Sequence, residues 1–169
     1  MTADSVAALL RIGRERGYIF ASGPLVERLA HEHLDRVCAA AAASRVERDG
    51  SAFHVTLATK AELNELEAAS RDSLEKDLAM LQPSGIVSLG LGSVTRAKQQ
   101  ASFVVLLWPA LQAVRKAHVL PPVWPHITLG FDGADIHGCA KGALQLKPIT
   151  QPPMPRDWDA VTAVCQYCS

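Results

Sequence analysis

Two short stretches of this 169-residue chain repeat one pattern: they read Phe53-His54-Val55-Thr56-Leu57 and, 72 residues later, Pro125-His126-Ile127-Thr128-Leu129. With six His and seven Thr in the chain, about 0.25 His-x-Thr triplets are expected by chance, so two triplets that share a following Leu are informative. In a strand, successive side chains point to opposite faces, and each stretch then has its His and Thr on one face and its apolar residues on the other. The sequence therefore predicts two amphipathic strands that present an imidazole beside a hydroxyl and face a common cleft.

This combination of side chains suits the cleavage of a phosphodiester by water. An unperturbed histidine pKa of about 6.5 lets one imidazole take a proton from water while the other gives a proton to the leaving oxygen. The hydroxyls of Thr56 and Thr128 can donate hydrogen bonds to the non-bridging oxygens, where negative charge grows in the transition state. The candidate catalytic residues are His54 and His126, and this chemistry needs neither a metal nor a cofactor.

The composition limits the partners and the location that we expect. Seventeen basic and seventeen acidic residues cancel, which argues against an extended surface for long nucleic acids. The N-terminal residues lack the pattern of a signal peptide, and no apolar run approaches the roughly 18 residues of a membrane span. The four cysteines lack paired-knuckle spacing, and the single Cys-x-x-Cys is formed by Cys165 and Cys168; free thiols in a reducing compartment are expected, with half a zinc site or a disulfide clip as the alternatives. We expect a cytoplasmic or nuclear monomer that does not enter a membrane.

The order of elements follows from apolar periodicity, turn residues and caps. Thr59 and Glu62 have the spacing of a helix-capping box, and Asp49-Gly50 is a turn dipeptide. In the first half we expect a helix over 5–16, a strand over 18–21, a long helix over 24–44, a charged turn over 45–51, a strand over 52–58 and a helix from 59 to a stop at Pro83.

The second half is predicted to be mostly sheet. Residues 101–108 are apolar on both faces, which is typical of a central strand. We expect a glycine-bearing strand over 85–95, a hairpin tip over 96–100, the central strand, a helix over 109–118, the second His-x-Thr strand from 125, a short helix or poor strand over 135–146, a loop over 151–157 and a closing strand over 158–167.

The two motifs and the strands between them resemble the two-histidine (2H) phosphoesterase superfamily, which includes LigT-like proteins and 2′,3′-cyclic nucleotide phosphodiesterases. The resemblance covers residues 17–131 and includes the glycine-bearing hairpin before the second motif. It implies an α+β fold of two pseudo-symmetric lobes, each an antiparallel sheet with helices outside, and a central cleft with one motif from each lobe. We expect one such domain over residues 1–169, with 1–16 as a helical extension and 132–169 least defined.

The resemblance also implies an activity. The expected enzyme is a metal-independent phosphodiesterase that opens 2′,3′-cyclic phosphates at RNA or nucleotide ends, as in RNA processing and repair. By resemblance to the cyclic phosphodiesterases, His54 is the general acid, His126 is the general base, and the product is a 2′-phosphate. Alternatives are an ADP-ribose 1″,2″-cyclic phosphate hydrolase, an RNA 3′-end exonuclease, and a non-catalytic module that binds nucleotides or RNA ends.

Other side chains are weaker candidates. Trp124 is the candidate for stacking on a nucleobase, whereas Trp108 on the central strand fits core packing equally well. The cations that might meet a second phosphate, with exposed surface charge as their default role, are Lys60, Arg96 and Lys98. His31 and His33 are two residues apart on a predicted helix and point in different directions, which argues against joint metal binding.

Overall fold

The structure, a computed structural model, describes residues 9–147. Over this range the structure contains six strands and five α-helices, and one short 3-10 helix follows the last strand. In order they are β1 (Arg11–Glu15), β2 (Tyr18–Ser22), α1 (Pro24–Leu34), α2 (Ala39–Asp49), β3 (Val55–Ala58), α3 (Lys60–Glu65), α4 (Ala68–Ala79), β4 (Val87–Arg96), β5 (Gln99–Leu107), α5 (Pro109–Ala117), β6 (His126–Asp132) and the 3-10 helix Ala143–Gln145.

The six strands form one sheet in the order β1-β2-β3-β6-β5-β4, and all neighbouring strands are antiparallel. The fold class is therefore α+β, as predicted. The two expected sheets are joined edge to edge: β1-β2-β3 and β6-β5-β4 meet where Val55 on β3 pairs with Ile127 on β6. This joint places the two His-x-Thr motifs on adjacent central strands.

One face of the sheet packs against the helices and forms the main core. The alternation of each motif strand sends Val55, Leu57, Ile127 and Leu129 into this core, where each is at most 1% exposed. The helices bury their apolar residues against the same face, among them Val26, Leu29, Leu74, Leu78 and Leu111. The opposite face is left free to carry the polar residues of the motifs.

Close packing at one glycine seats α2 against β6. A Cβ atom built on Gly130 would lie 2.7 Å from the backbone of Ala41, which is closer than two carbon atoms can approach. Only a residue without a side chain fits here. As a result, the C-terminal end of α2 reaches the polar face of the sheet.

The predicted helix over 5–16 is wrong for residues 11–15, which form the edge strand β1. Arg16 and Gly17 both have positive φ and join β1 to β2 in a two-residue hairpin turn. Gly17 is thus a turn residue and not a helix stop. The strand over 18–21 is confirmed as β2.

Two predicted helices are interrupted. The helix over 24–44 is divided into α1 and α2 at residues 35–38, and α2 continues through most of the predicted charged turn to Asp49. The helix from 59 to Pro83 is divided at Leu66, whose backbone is extended. Neither break contains Gly or Pro, so apolar periodicity alone could not reveal it.

The other predicted elements lie close to their expected places. The strand β5 is paired on both edges and buried on both faces, and α5 begins at Pro109 as expected. The hairpin tip is reduced to Ala97 and Lys98. The predicted loop over 151–157 and strand over 158–167 lie outside the described residues. Within residues 9–147, no helix has the length and apolar character needed to cross a membrane.

Candidate active site

The four polar residues of the two motifs lie around one cavity on the face of the sheet opposite the main core. Because Val55 and Ile127 point into the core, their neighbours in each motif point the other way. The cavity has a volume of about 520 Å³, and its lining includes His54, Thr56, His126 and Thr128. Two stretches 72 residues apart in the chain thus contribute to one opening.

Hydrogen bonds from two side chains, Arg45 and Glu27, fix the chain that leads into β3. Arg45 is 4% exposed and donates to the carbonyl oxygens of Gly50 at 2.9 Å and Ala52 at 3.0 Å. The carboxylate of Glu27 accepts from the backbone N–H of Phe53 at 2.7 Å. These contacts fix the backbone just before His54 and so help to set the orientation of its side chain.

A second buried arginine holds the end of β3 that follows Thr56. Arg115 is 1% exposed; it donates to the carbonyl oxygen of Leu57 at 2.7 Å and forms an ion pair with Glu62. Glu62 also caps α3 through Thr59, so the predicted capping box is confirmed. The first motif is therefore anchored on both sides.

Hydrogen bonding fixes the tautomer of His126. Its Nδ1 lies 3.0 Å from the carbonyl oxygen of Trp124, and a carbonyl can only accept, so Nδ1 carries the proton. The lone pair of the neutral ring is then on Nε2. Burial, together with the positive charge of Lys141, lowers the pKa of His126 to about 4 despite the hydrogen bond to Trp124. His126 is thus a neutral proton acceptor at physiological pH.

His54 stands in an aromatic environment. The ring centroids of Tyr18 and Phe20 are each 5.9 Å from its own. Burial lowers the pKa of His54 below its ordinary value, and the negative charge of Asp49 opposes the shift. Both motif histidines therefore favour the neutral form when the cavity holds no anion.

Charged side chains surround the two motifs. The carboxylate of Asp135 is only 4% exposed and accepts from Arg48 at 2.8 Å and from Lys141 at 2.9 Å. Burial would raise the pKa of Asp135, but these two hydrogen bonds outweigh it and hold the pKa below the usual range. The lining contains four cationic and two acidic side chains, with Arg16, Lys60 and Asp49 as the remaining members. The excess of positive charge favours an anionic ligand.

The sequence prediction missed several members of the lining. They are Tyr18, Arg48, Asp135, His137 and Lys141. Their positions depend on where α2 ends and on the path of the chain after β6, and neither follows from local periodicity. Among the cations considered for a second phosphate, Lys60 lines the cavity, whereas Arg96 and Lys98 are exposed at the β4-β5 hairpin.

The structure gives the two tryptophans different surroundings. The indole of Trp124 packs against Gly142, where an added Cβ would lie 2.4 Å from the ring, and Trp124 reaches the site through its carbonyl oxygen. Its indole is not among the side chains that line the cavity, so stacking of Trp124 on a nucleobase stays a prediction. Trp108 is fully buried in the core, which leaves it no face for a nucleobase.

The remaining histidines of the described region, apart from His137, lie away from the cavity. His31 is exposed, His33 is 3.4 Å from the hydroxyl of Ser88, and His118 pairs with Asp77 at 2.7 Å. Among residues 9–147, no three His, Cys, Asp or Glu side chains are grouped so that they could hold a metal ion.

Comparison with known families agrees with this geometry. The model of the family described as "Swiss Army Knife, 2H phosphoesterase domain" matches residues 17–137, which is well over half of the chain. The match contains both motifs and every element from β2 to β6. No curated protein and no solved structure matches the chain significantly.

Proposed function

Because the chain belongs to the 2H phosphoesterases, whose members are hydrolases of phosphoesters, we propose that it opens 2′,3′-cyclic phosphodiesters at RNA or nucleotide ends and leaves a 2′-phosphate. The observation that carries the proposal is the single cavity lined by both histidines and both threonines of the motifs. Its surplus of positive charge suits a phosphodiester, which carries one negative charge.

The proton transfers follow from the surroundings of each histidine. Nε2 of His126 takes a proton from water as the water oxygen bonds to phosphorus, because the hydrogen bond to Trp124 leaves that nitrogen as the acceptor. The bond from phosphorus to the 3′ oxygen breaks, and protonated His54 gives its proton to that oxygen. The products are a 3′-hydroxyl and a 2′-phosphate, and the two histidines end in exchanged protonation states.

Binding of the anionic substrate favours the protonated form of His54. Burial lowers the pKa of His54 in the free protein. A negatively charged phosphoryl group within hydrogen-bonding distance favours the charged imidazolium and raises this pKa. The hydroxyls of Thr56 and Thr128, which line the same cavity, donate to the non-bridging oxygens and stabilise the transition state.

The test is hydrolysis of a nucleoside 2′,3′-cyclic phosphate, with the product identified by mass and phosphorus NMR. Replacing His54 or His126 by Ala should lower kcat by about 10²- to 10⁴-fold, the usual contribution of a general acid or base. The control His118→Ala, which removes the histidine paired with Asp77 beyond the opposite face, should keep wild-type kcat. Activity should persist in EDTA, and loss of turnover on chelation would refute the metal-independent mechanism.

A substrate panel separates this proposal from its alternatives. It contains a dinucleotide that ends in a cyclic phosphate, the matching mononucleotide, ADP-ribose 1″,2″-cyclic phosphate and an RNA with a free 3′ end. The proposed activity predicts the highest kcat/KM on one of the first two. Tight binding of every member without turnover would instead identify a non-catalytic binding module.

A further inference from the structure

Lys141 is a member of the cavity lining to which the two-histidine chemistry gives no role. Its side chain is 6% exposed, and its ammonium donates to Oδ1 of Asp135 at 2.9 Å. A lysine ammonium has three donor hydrogens, and within residues 9–147 Asp135 is its one hydrogen-bond acceptor. Burying an ammonium with two unused donors is costly. Because Lys141 lines the cavity, those donors are available to a ligand.

The position of the ammonium is fixed by a chain of alternating charges. The second carboxylate oxygen of Asp135 accepts from Arg48 at 2.8 Å, and Arg48 in turn pairs with Asp49 at 2.7 Å. The C-terminal end of α2 and the segment after β6 thus hold Lys141 from two directions. The four side chains carry two positive and two negative charges, so Lys141 acts on a ligand through its local ammonium and the donor hydrogens that Asp135 does not use.

Lys141 lies on the side of the cavity that carries the second motif. Its Nζ is 5.8 Å from the ring centroid of Phe103, and that ring is 5.7 Å from the ring of His126. Phe103 also pairs with Thr128 across β5 and β6. The ammonium and the imidazole therefore both lie near the ring of Phe103, Lys141, His126 and Thr128 all line the cavity, and the charge of Lys141 contributes to the lowered pKa of His126.

We propose that Lys141 is a third catalytic residue, whose ammonium binds a non-bridging oxygen of the phosphodiester beside Thr128, and that Asp135 is its positioning residue. This inference rests on the proposed function and extends it. The family match ends at residue 137, so it does not assign Lys141. The ammonium neutralises negative charge that grows on the phosphoryl oxygens, and the two histidines still transfer the protons.

The kinetic test compares Lys141→Gln and Lys141→Arg with wild type. Gln keeps a donor for Asp135 but removes the charge, and kcat should fall about 10²- to 10³-fold, as for removal of an oxyanion donor. Arg keeps the charge and should restore kcat at least about tenfold above the Gln variant. The control Lys98→Met, at the exposed β4-β5 turn, should be unchanged. A Lys141→Gln enzyme with wild-type kcat would overturn the proposal.

Asp135→Asn tests the positioning role through a double-mutant cycle. Asn cannot hold both cations, so kcat should fall about tenfold, and adding Asp135→Asn to Lys141→Gln should cost little more. Additive losses would show that Asp135 acts on the fold and not through Lys141.

A binding measurement tests the contact between Lys141 and phosphate independently of turnover. Inorganic phosphate added to the wild-type protein should shift the nitrogen resonance of the Lys141 ammonium together with those of the His126 ring, and Lys141→Gln should weaken phosphate binding about tenfold. A His126 response without a Lys141 response would refute the contact. Phosphate binding at Lys141 with no hydrolysis of any cyclic phosphate would support this inference and contradict the proposed function.

Discussion

The protons of His54 and His126 are controlled by different neighbours. The Nδ1 proton of His126 is donated to the carbonyl of Trp124, and the charge of Lys141 lowers the pKa of His126. His54 lies beside the rings of Tyr18 and Phe20, and burial lowers its pKa against the opposing charge of Asp49. Since the surroundings of His126 disfavour a second proton more strongly, it suits the role of base, and His54 suits the role of acid.

The pH dependence of kcat/KM should reveal this division. In the proposed mechanism the active free enzyme has neutral His126 and protonated His54, so kcat/KM should fall below pH about 4, where His126 gains a proton. It should also fall as pH rises through the pKa of His54, which lies below 6.5. Initial rates at substrate concentrations below KM, from pH 3.5 to 8, measure both limbs. A maximum above pH 7 would contradict the assignment.

Sequence alone identified the side chains whose spacing is local. The His-x-Thr triplets place imidazole and hydroxyl on one strand face because alternation is a property of the backbone itself. By contrast, Lys141 and His137 reach the cavity from an irregular segment after β6, and no periodic pattern predicts such a path. The contribution of Trp124 is made by its backbone carbonyl, which any residue type supplies.

At the scale of the element, β3 is short and depends on two buried arginines. It contains four residues, with Arg45 bonded to the carbonyls before it and Arg115 bonded to the carbonyl of Leu57 within it. Arg45 lies on α2 and Arg115 on α5, so each helix supplies a donor to backbone oxygens in or just before β3. The first motif therefore owes its position to residues outside the motif.

Replacing Arg115 by Met should destabilise the protein by roughly 3–5 kcal/mol, because it leaves Glu62 and the Leu57 carbonyl without their partner in the interior. Urea unfolding followed by tryptophan fluorescence measures the loss. The matched control is Arg14→Met, which breaks the exposed pair with Glu75 and should cost about 0–1 kcal/mol. Equal midpoints for the two variants would show that Arg115 is not a structural anchor.

Elements with explicit start signals were predicted well, and elements defined by tertiary packing were not. The Thr59–Glu62 capping box marks the start of α3 because its side chains bond to backbone N–H groups there. Pro109 marks the start of α5 because proline has no N–H that would need a partner in the first turn. β1 was missed because its charged residues lie on an exposed edge strand, where the Arg16-Gly17 turn was the informative feature. The interruption between α1 and α2 has no local signal, since Cys38 adopts an extended backbone without Gly or Pro beside it.

The whole molecule should lose stability in mild acid because it buries a neutral histidine. The folded pKa of His126 is about 4 against 6.5 when unfolded, so between these values the unfolded chain binds more protons and the free energy of unfolding falls as pH falls. The full loss is on the order of 3 kcal/mol. Urea midpoints at several pH values between 4 and 7 should show this slope in wild type and a shallower one in His126→Gln. Identical slopes would disprove the assignment.

The fold class was predicted correctly, but the pairing that joins the two halves of the sheet was not predicted. The residue patterns indicated the individual strands and helices, and the resemblance to the 2H phosphoesterases implied the α+β fold of two antiparallel halves with helices outside. That the two halves merge into one sheet depends on pairing between β3 and β6, which are far apart in sequence. The periodicity within a strand predicts which face is buried, but it does not predict which distant strand lies beside it.

The joint at Val55 and Ile127 has a consequence for how the protein works. Each half of the sheet supplies one histidine and one threonine to the cavity, so in the proposed mechanism neither half can carry out both proton transfers by itself. Any sliding of one half against the other alters the separation of acid and base. A substrate bound by both halves of the sheet therefore also stabilises the joint between β3 and β6, where Val55 pairs with Ile127.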